Sequence, residues 1–520
     1  MYTKSDLRQF KRLGIKPEQV DKQLEHFANG FDHVALKETA ATGNGIKQLP
    51  EQEIDNLVSR FREKQPSLSM IKMVPASGSA TRMFKVLNTF MTTYTGSDAE
   101  YLQLRRDKGP GTPLLFFEKI REYPFFRRLR EVLYKDHLDI DKLSRKNQFI
   151  EILEYLLTEK GLNYNATPKG LIDFHLYQEH VRTAFEEHLV EGALYCNNGK
   201  TANLHFTVSR EHASRFKALL KSVRGRYEKE TGTRFNVSFS IQRRDTDTVS
   251  LARDNQLLRD KNQTIVFRPG GHGALIHNLN DLKEEIIFIK NIDNVTPDRN
   301  KDVTVRYKQA LGGLLLETRE KVFHYARLLD RRAVTPALLD EVEAFIREHL
   351  GHRPPALSPD ATRKERVKCL KRVLDRPLRV CGMVRNEGEP GGGPFWVTAS
   401  DGGERLMIVE SAQVNMKDKE QKGIFLASTH FNPVDIVCST RDYKGRRYNL
   451  LDFIDERQGF ITAKSFEGEE IRVQELPGLW NGAMANWNTL FVEVPLATFT
   501  PVKTVFDLLR VEHMNVVSSM

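Results

Sequence analysis

The sequence lacks the features that mark several protein classes. Its 520 residues include only four cysteines, with no C-x-x-C pair, so we expect neither a disulfide framework nor a thiolate zinc site. These cysteines are Cys196, Cys369, Cys381 and Cys438. No apolar run approaches the roughly 20 residues that span a bilayer, and the N-terminus lacks the apolar core of a signal peptide. We therefore expect a reduced, cytoplasmic protein without a membrane partner.

Long blocks of one charge are also missing. The 79 basic and 69 acidic residues give a net charge of +10, but both signs are interspersed along the chain. A nucleic-acid-binding arm would show a run of Lys and Arg, so nucleic acid is not an expected partner. A modest positive field suits smaller anions, such as triphosphates and sugar phosphates.

Short apolar runs alternate with helical repeats along most of the chain. This alternation predicts an α/β protein, a layered sheet with helices on both faces. The clearest predicted strands are 70–74, 202–208, 235–241, 286–289, 378–384, 395–398, 406–409 and 490–494. In such folds the sites lie at the carboxyl ends of strands, so the loops that follow these runs are the places to search.

The helical stretches predict a core with two insertions. The predicted regions are an N-terminal helical region (1–69), the start of the core with a phosphate loop (70–94), a helical insertion (95–166), the core continued (167–300), a second helical insertion (301–375) and the completion of the core (376–520). The first insertion is rich in aromatic residues at helical spacing.

Two separate segments suggest phosphate binding. The loop Ser77-Gly78-Ser79-Ala80-Thr81-Arg82 follows a predicted strand, and its small residues let backbone N–H groups approach a phosphate. Arg82 would add a fixed charge. The second segment, Pro168-Lys169-Gly170, holds a lysine that could reach a phosphate oxygen. The alternatives are an ordinary strand-to-helix turn and an ordinary loop lysine.

Three further segments carry candidate chemistry. In Pro269-Gly270-Gly271-His272-Gly273, exposed backbone could lie against a flat base; the flanks look strand-like, and the alternative is a mobile surface loop. Asp293 and Asn294 follow a buried strand and suggest Mg²⁺, with an Asx turn as the alternative. Lys503 follows the last predicted strand and could be a second phosphate-directed cation, or a solvated lysine that opens a short helix at 504–509.

Taken in order, these segments resemble the UTP–sugar-1-phosphate uridylyltransferases, above all the eukaryotic-type UTP–glucose-1-phosphate enzymes and the UDP-N-acetylhexosamine pyrophosphorylases. That family has a G-T-R-type loop, a P-K element, a P-P-G-H-G loop, N-x-D-N, L-E-x-A-Q-V, N-T-N-N, and V-P-x-x-x-F-x-P-V-K-T-x-x-D-L-L. The counterparts here are 78–82, 168–169, 269–273, 291–294, 409–414, 429–432 and, without a gap, 494–509. The last motif is the most specific, and coincidence of the ordered set is improbable.

The resemblance implies a nucleotidyltransferase fold that is GT-A-like and Rossmann-like, a mixed sheet flanked by helices with two helical insertions. It also implies the joining of UTP to a sugar 1-phosphate, with a UDP-sugar and pyrophosphate as products and Mg²⁺ as cofactor. Such chemistry needs positioning and charge neutralisation more than a nucleophilic side chain. The residues implied are Arg82, Lys169 and Lys503 for catalysis; Gly78, Ser79, Ala80, Thr81, Gly271, His272 and Gly273 for the nucleotide; Asp293 for the metal; and Glu410 and Asn432 for the sugar side.

Departures from the family pattern leave an alternative open. Ala80 stands where the family has a glycine, and Ala274 stands where the glucose-1-phosphate enzymes have an aspartate. The alternative is a non-catalytic protein that keeps the fold and binds a nucleotide or nucleotide-sugar. The insertion at 95–166 separates the phosphate loop from Lys169, so we expect it to emerge beside the site as a lid or a substrate-selecting element.

Overall fold

The computed structural model describes residues 2–107, 109–178, 180–331, 333–355, 358, 360–388, 391–399 and 401–514. The chain forms two compact units, each assembled from three separate segments. Unit 1 comprises residues 1–73, 240–289 and 307–495, and unit 2 comprises residues 74–239, 290–306 and 496–520.

Helices and strands alternate through the described residues. The helices are α1 (Lys4–Leu13), α2 (Pro17–Asn29), α3 (Glu51–Lys64), α4 (Lys85–Thr93), α5 (Asp98–Arg106), α6 (Pro113–Glu118), α7 (Phe126–Lys135), α8 (Ile140–Arg145), α9 (Phe149–Leu157), α10 (Ala184–Tyr195), α11 (Ala213–Thr231), α12 (Leu275–Asp281), α13 (Lys301–Leu329), α14 (Pro336–His349), α15 (Arg363–Leu374) and α16 (Lys419–Leu426). None of these helices combines the length and the apolar character needed to cross a membrane.

The strands of the described residues lie close to the predicted apolar runs in eight cases and had no predicted counterpart in the others. They are β1 (Leu36–Thr39), β2 (Ala41–Thr42), β3 (Gly45–Lys47), β4 (Met70–Pro75), β5 (Asp173–Leu176), β6 (Val181–Thr183), β7 (Thr201–Val208), β8 (Arg234–Ile241), β9 (Thr248–Leu251), β10 (Phe267–Arg268), β11 (Ile286–Lys290), β12 (His352–Arg353), β13 (Leu378–Arg385), β14 (Gly393–Thr398), β15 (Glu404–Val409), β16 (His430–Ser439), β17 (Phe460–Phe466), β18 (Glu469–Glu475) and β19 (Asn488–Glu493).

A large mixed sheet organises unit 1. Its strands lie in the order β2-β3-β19-β13-β16-β11-β4. Strand β13 runs parallel to β19 and antiparallel to β16, while β11 runs parallel to β4 with Ile286 opposite Met70. Within unit 2 the end of β4 lies beside β7, which lies beside β8. Because β4 and β11 are parallel, the loops that follow them leave from the same edge.

Helices cover both faces of the sheet in unit 1. On one face, Phe61 of α3 packs edge-on against Phe288 of β11, with ring centroids 5.9 Å apart. On the other face, Leu275 and Leu279 of α12 pack in one core with Ile287 of β11. The alternating side chains of β11 therefore enter two apolar layers, as expected for a strand buried on both sides. The predicted α/β class, a mixed sheet flanked by helices, is confirmed.

Smaller sheets complete unit 1. One has the order β1-β14-β15-β12, and the other has the order β10-β9-β18-β17. Helices α1 and α2 close over the second sheet, where Val20 and Phe27 share a core with Val249 and Ile265. The segment 1–69, predicted as helical, thus contains α1 to α3 and also the short strands β1 to β3.

Helices α5 to α9 fill the segment 95–166 of unit 2. Their core is aromatic: Phe117 and Phe149 stack with centroids 4.2 Å apart, and Phe90 of α4 packs against both rings. The same apolar cluster includes Val74 and Ala76 at the end of β4. The aromatic stretch thus forms a core continuous with the strand that precedes the phosphate loop.

Candidate functional site

The predicted phosphate loop and the Pro-Lys-Gly element are neighbours in unit 2. The N–H of Ala80 donates to Thr167 O at 3.2 Å, and the N–H of Lys169 donates to Gly78 O at 3.4 Å. These two bonds frame a bridge between Ser79 and Pro168. The chain therefore leaves the loop, forms the helices of 95–166, and returns to pair with the loop that it left.

The phosphate loop offers unpaired backbone donors. Within the described part of the chain, the N–H groups of Gly78, Ser79 and Thr81 donate no hydrogen bond, and all three residues are exposed. The position of a Cβ on Gly78 is open, because no atom lies within 4 Å of it. Ala80 differs, since its methyl group is buried and its N–H is already bonded. Arg82 is exposed at the end of the loop.

Asp293 lies between two lysines at the end of β11. The Nζ of Lys169 is 2.8 Å from Asp293 Oδ2, and the Nζ of Lys503 is 3.1 Å from the same oxygen. Within the described residues the other carboxylate oxygen, Oδ1, accepts no hydrogen bond. The side chains of Asp293 and Lys169 are 11% and 12% exposed, whereas that of Lys503 is 57% exposed. Lys503 can therefore reorient towards a ligand far more easily than Lys169.

The two ammonium groups control the charge of Asp293. Burial raises the pKa of its carboxyl group, but the charges of Lys169 and then Lys503 outweigh burial and hold the pKa below its ordinary value. Asp293 is consequently ionised at neutral pH. The cluster of two cations and one anion keeps one net positive charge, which favours an anionic ligand.

Backbone hydrogen bonds hold the Lys503 segment in place. The N–H of Val502 donates to Asp293 O at 3.0 Å, and Lys169 Nζ donates to Val502 O at 2.8 Å. The Asp507 carboxylate accepts the N–H groups of Lys503 at 2.8 Å and Thr504 at 2.6 Å. Asp507 therefore fixes the backbone from which Lys503 extends, at the start of a short 3₁₀ helix.

Two arginines that the sequence did not single out lie close to these segments. Arg215 of α11 donates to Thr167 Oγ1 at 3.0 Å, directly before the Pro-Lys-Gly element. Arg128 of α7 binds both carboxylate oxygens of buried Asp173 at 3.0 Å. The sequence around these two arginines gave no reason to select them, because isolated arginines on amphipathic helices are common. Asp507, by contrast, could have been found from the sequence, since it lies within the 494–509 motif.

The glycines of 269–273 are explained by close packing in unit 1. A Cβ on Gly273 would lie 2.2 Å from Pro477 O, and a Cβ on Gly270 would lie 2.6 Å from Thr246 O. Gly271 has φ of 78°, a conformation that favours glycine. The strand-like flank predicted after this loop is wrong, because α12 begins at Leu275. Its apolar residues pack on the sheet as a helix face, which a short run cannot distinguish from a strand.

His272 is held by the segment that follows β18. Its ring stacks on Trp480 with centroids 4.3 Å apart, and its Nδ1 accepts the N–H of Leu479 at 3.1 Å. Burial lowers the pKa of His272 although Glu410 and Glu475 oppose that shift. A neutral ring leaves Nε2 directed towards Glu410, whose Oε1 lies 3.9 Å away. The structure thus brings His272 and Glu410 together.

Asn432 lies in a strained part of β16. Its Oδ1 accepts the N–H of Val434 at 3.1 Å, while its buried Nδ2 has no partner within the described residues. Val434 has φ of 59°, which is unfavourable for a β-branched side chain. The strain coincides with a register shift against β13 near Gly382. Such outliers are frequent at functional sites, so this bulge is compatible with a binding role.

One family model covers almost the whole chain. It is described as "Domain of unknown function (DUF4301)" and matches residues 3–514. The chain belongs to the DUF4301 family. No similar sequence is found among the curated proteins.

Among solved structures, this DUF4301 chain is similar to uridine diphosphate N-acetylglucosamine pyrophosphorylase from Trypanosoma brucei in complex with an inhibitor. The identity is 12%, the TM-score is 0.47, and the match covers 94% of this chain and 74% of that one. Two variants of UDP-glucose pyrophosphorylase from Leishmania major, each with UDP-glucose, are 11% identical with TM-scores of 0.42 and 0.43. The first match covers 97% of this chain and 77% of the other chain, and the second covers 98% and 79%.

The predicted residues of the DUF4301 chain form two groups. Unit 2 contains the loop 78–82 together with Lys169, Asp293 and Lys503, and unit 1 contains the loop 271–273 together with Glu410 and Asn432. Among the described residues no three His, Cys, Asp or Glu side chains converge as a metal cluster. In unit 2 the free Oδ1 of Asp293 could supply one carboxylate oxygen to a Mg²⁺ ion. Phosphate oxygens of a substrate and water would have to complete the coordination shell of that ion.

Proposed function

We propose that the protein is a nucleotidyltransferase that forms a nucleotide-sugar and pyrophosphate from a nucleoside triphosphate, UTP, and a sugar 1-phosphate. The observation that supports it is the position of Asp293 between Lys169 and Lys503. The backbone N–H of Lys169 also donates to Gly78 O, which places the loop of 78–80 next to this cluster. Cations, a carboxylate and free backbone N–H groups are the groups that phosphoryl chemistry requires.

In the proposed reaction an oxygen of the sugar 1-phosphate attacks the α-phosphorus of UTP. A new P–O bond forms as the bond to the β-phosphate oxygen breaks, and pyrophosphate leaves with that oxygen and its electron pair. The attacking oxygen is already anionic, so the step needs no general base. The step requires that the attacking and leaving oxygens are held in line and that the negative charge on the phosphates is neutralised.

The residues of unit 2 divide this task. The N–H groups of Gly78, Ser79 and Thr81 would bind triphosphate oxygens, and Arg82 would neutralise the β and γ charges. Ala80 would support the loop through its bond to Thr167 instead of binding phosphate. Lys503, with an exposed ammonium group, would shift from Asp293 to the reacting phosphates, while Lys169 keeps its bonds to Asp293 and Val502.

Asp293 fits a Mg²⁺ ion that arrives with the nucleotide. Its Oδ1 is free, whereas Oδ2 is already bonded to both lysines. When bound, Mg²⁺ would supply further charge neutralisation at the phosphates. In unit 1, the backbone of Gly271, His272 and Gly273 is proposed for the uracil edge, and Glu410 and Asn432 are proposed for the sugar.

The test is pyrophosphate release from UTP with a panel of sugar 1-phosphates and Mg²⁺. Asp293→Ala and Lys503→Ala should each lower the rate by about 10²-fold or more, as expected when a preorganised charge is lost. Lys217→Ala is the matched control, because Lys217 is an exposed lysine on α11 in the same unit. If both site variants keep the full rate, the assignment of the site is wrong. ATP, GTP and CTP in place of UTP test the choice of base.

One observation favours the non-catalytic alternative, a protein that binds a nucleotide or nucleotide-sugar without turnover. The N–H of Ala80 is already bonded to Thr167 O, and the ammonium group of Lys169 already donates to Asp293 Oδ2 and Val502 O. Fewer donors are then free to bind a transition state. Calorimetric binding of UTP or a UDP-sugar, with no pyrophosphate released across the whole panel, would support the alternative.

A further inference from the structure

Arg215 is held next to the phosphate loop by a single residue. It belongs to the first turn of α11, and its guanidinium donates to the buried Thr167 Oγ1 at 3.0 Å. The backbone O of the same threonine accepts the N–H of Ala80 in the phosphate loop. The first turn of α11 packs closely here, because a Cβ on Gly170 would lie 2.8 Å from the ring of Phe216. The base of the Arg215 side chain is therefore fixed beside the loop.

The positive charge of Arg215 has no carboxylate beside it. Within the described residues the bond to Thr167 is the only hydrogen bond of its side chain, no ion pair is formed, and the residue is exposed. A guanidinium carries several N–H donors in a planar fork, so most of them remain available to a ligand. An exposed arginine that contacts a neutral hydroxyl also keeps its full charge for an anion.

A second arginine adds to this charge. Burial, and then the charge of Arg128 on α7, lowers the pKa of Arg215, so the two guanidinium groups lie within electrostatic reach. Arg128 binds Asp173 through Nη1 alone, and its side chain is 50% exposed whereas that of Asp173 is 5% exposed. Glu131, whose charge also reaches Arg128, is paired with Arg127. Two arginines thus share one buried carboxylate, which leaves at least one net positive charge at the surface.

The ligand that fits these groups is an anion with several oxygens. Guanidinium groups bind phosphate oxygens through paired N–H donors. The phosphate loop adds the backbone N–H groups of 78, 79 and 81, which donate no hydrogen bond within the described residues. A pyrophosphate group has two linked phosphates, so one can bind the loop while the other binds the guanidinium.

The contacts of the two arginines separate them from the cluster at Asp293. Among the hydrogen bonds of the described residues, neither Arg128 nor Arg215 contacts Asp293 or the lysines that flank it. In the proposed reaction that cluster acts on the phosphorus under attack. The arginines are then available to the phosphates that leave.

We propose that Arg215, with Arg128 beside it, binds the pyrophosphate group, either as the β and γ phosphates of a nucleoside triphosphate or as free pyrophosphate. The inference rests on the proposed function for the identity of the triphosphate, and it adds a residue that determines the binding of the leaving group. A nucleoside monophosphate lacks this group, so its binding does not depend on Arg215. Because Arg128 belongs to α7, the segment 95–166 contributes to this subsite.

The experiment is isothermal titration calorimetry of the full chain with inorganic pyrophosphate, UTP and UMP, with Mg²⁺ in both solutions. Arg215→Met should weaken the binding of pyrophosphate and UTP by about tenfold or more and leave that of UMP unchanged. Arg215→Lys keeps the charge but loses the planar fork, so its affinities should lie between those of the wild type and Arg215→Met. Lys217→Met is the matched control, because Lys217 is exposed on another side of α11 and should bind all three ligands normally.

A steady-state assay separates this subsite from the proposed reaction. Arg215→Met should raise the KM for UTP, and for pyrophosphate in the reverse direction, more than it lowers kcat. If pyrophosphate binds through Arg215 but no sugar 1-phosphate supports turnover, the proposed reaction fails and the subsite stands. Thr167 Oγ1 keeps its bond to Asn163 O in Arg215→Met, so the variant should fold, and Arg215→Lys gives the readout if it does not.

Three results would overturn the pyrophosphate subsite. The first is a wild type that does not bind pyrophosphate. The second is an Arg215→Met variant, or an Arg215→Lys variant where only that one folds, with the pyrophosphate affinity of the wild type. The third is a loss of UMP binding as large as that of UTP, which would assign Arg215 to the structure of the loop alone.

Discussion

The ammonium group of Lys169 lies 2.8 Å from Oδ2 of Asp293, although 124 positions separate the two residues in the chain. Lys503 reaches the same oxygen from a position 210 residues further along. Three distant segments therefore converge on one carboxylate. Asp293 and Lys503 lie in loops and Lys169 begins a short 3₁₀ helix, so strand pairing and backbone hydrogen bonds decide their approach.

Removing the carboxylate from this cluster should destabilise the fold. Asp293→Asn leaves the largely buried ammonium of Lys169 without its anion, and we expect a loss of about 3 kcal/mol in the free energy of unfolding. Adding Lys169→Met should recover part of that loss, because the buried charge is then gone. Urea denaturation of wild type, both single variants and the double variant measures the coupling. Strictly additive effects would contradict the ion pair.

A methyl group at Gly170 should disturb the Pro-Lys-Gly element. Its Cβ would lie 2.8 Å from the ring of Phe216 and 3.3 Å from Ile292 Cδ1. We expect Gly170→Ala to lower stability by about 1–3 kcal/mol and to shift Lys169. The control is Gly225→Ala in α11, where no atom lies within 4 Å of the new Cβ. That change should raise stability by about 0.5–1 kcal/mol, since alanine favours helix.

Loss of Arg128 should destabilise the fold far more than loss of Arg127, its neighbour on α7. Arg128 binds the buried carboxylate of Asp173, whereas Arg127 pairs with exposed Glu131 one turn away. Arg128→Ala should lower the free energy of unfolding by about 1–3 kcal/mol, because Asp173 stays buried with a lost partner. Arg127→Ala should change it by about 0.5 kcal/mol or less. Equal melting temperatures for both variants would show that Arg128 does not tie α7 to β5.

Acid should destabilise the C-terminal segment of unit 2 through His513. Burial, then the charges of His175 and Arg510, lowers its pKa from the ordinary 6.5 to about 3, and its Nδ1 lies 2.9 Å from His175 Nε2. The unfolded chain therefore binds more protons between these values. Stability should be full above pH 6.5 and fall as the pH drops towards 3, by about 1.4 kcal/mol per pH unit for each such proton.

His513→Gln provides the check on that titration. The variant should show a shallower loss of melting temperature between pH 6.5 and pH 4 than the wild type, because one proton-linked group is removed. His175, whose pKa is also lowered by burial, would account for the remaining slope. A variant with the wild-type pH dependence would contradict the role of His513.

Asp507 should act on the proposed reaction only through Lys503. Asp507→Ala removes the acceptor for the N–H groups of Lys503 and Thr504, so kcat in the pyrophosphate assay should fall more than stability alone explains. The control is Asp139→Ala, which removes a similar cap from α8. Both variants should lose some stability because each loses a helix cap, but only Asp507→Ala should lose activity. Equal activity of the two variants would assign Asp507 to stability alone.

Much of the fold followed from local pattern. The largely apolar runs 70–74 and 286–289 correspond to β4 and β11, because a strand buried on both faces needs such a run. The run 202–208 corresponds to β7, and the alternating run 235–241 corresponds to β8, most of whose residues are not buried. The predicted strand-like flank after Gly273 is wrong, since a short apolar run fits a buried strand and a buried helix equally well. The short strands β1 to β3 had no signal of their own, because strands of two to four residues take their shape from their neighbours.

The sequence by itself determined the order of the candidate segments and the residue types within them, from the small-residue loop at 77–82 to the 494–509 motif. Only the tertiary structure decided which segments meet. It joined Lys169 and Lys503 to Asp293, and it gave the glycines of 270–273 a packing role against Pro477 and Thr246. The physical reason is that hydrophobic period and backbone preference act over a few residues. Ion pairs and close packing depend instead on where the strands place their following loops, which no local stretch of chain specifies.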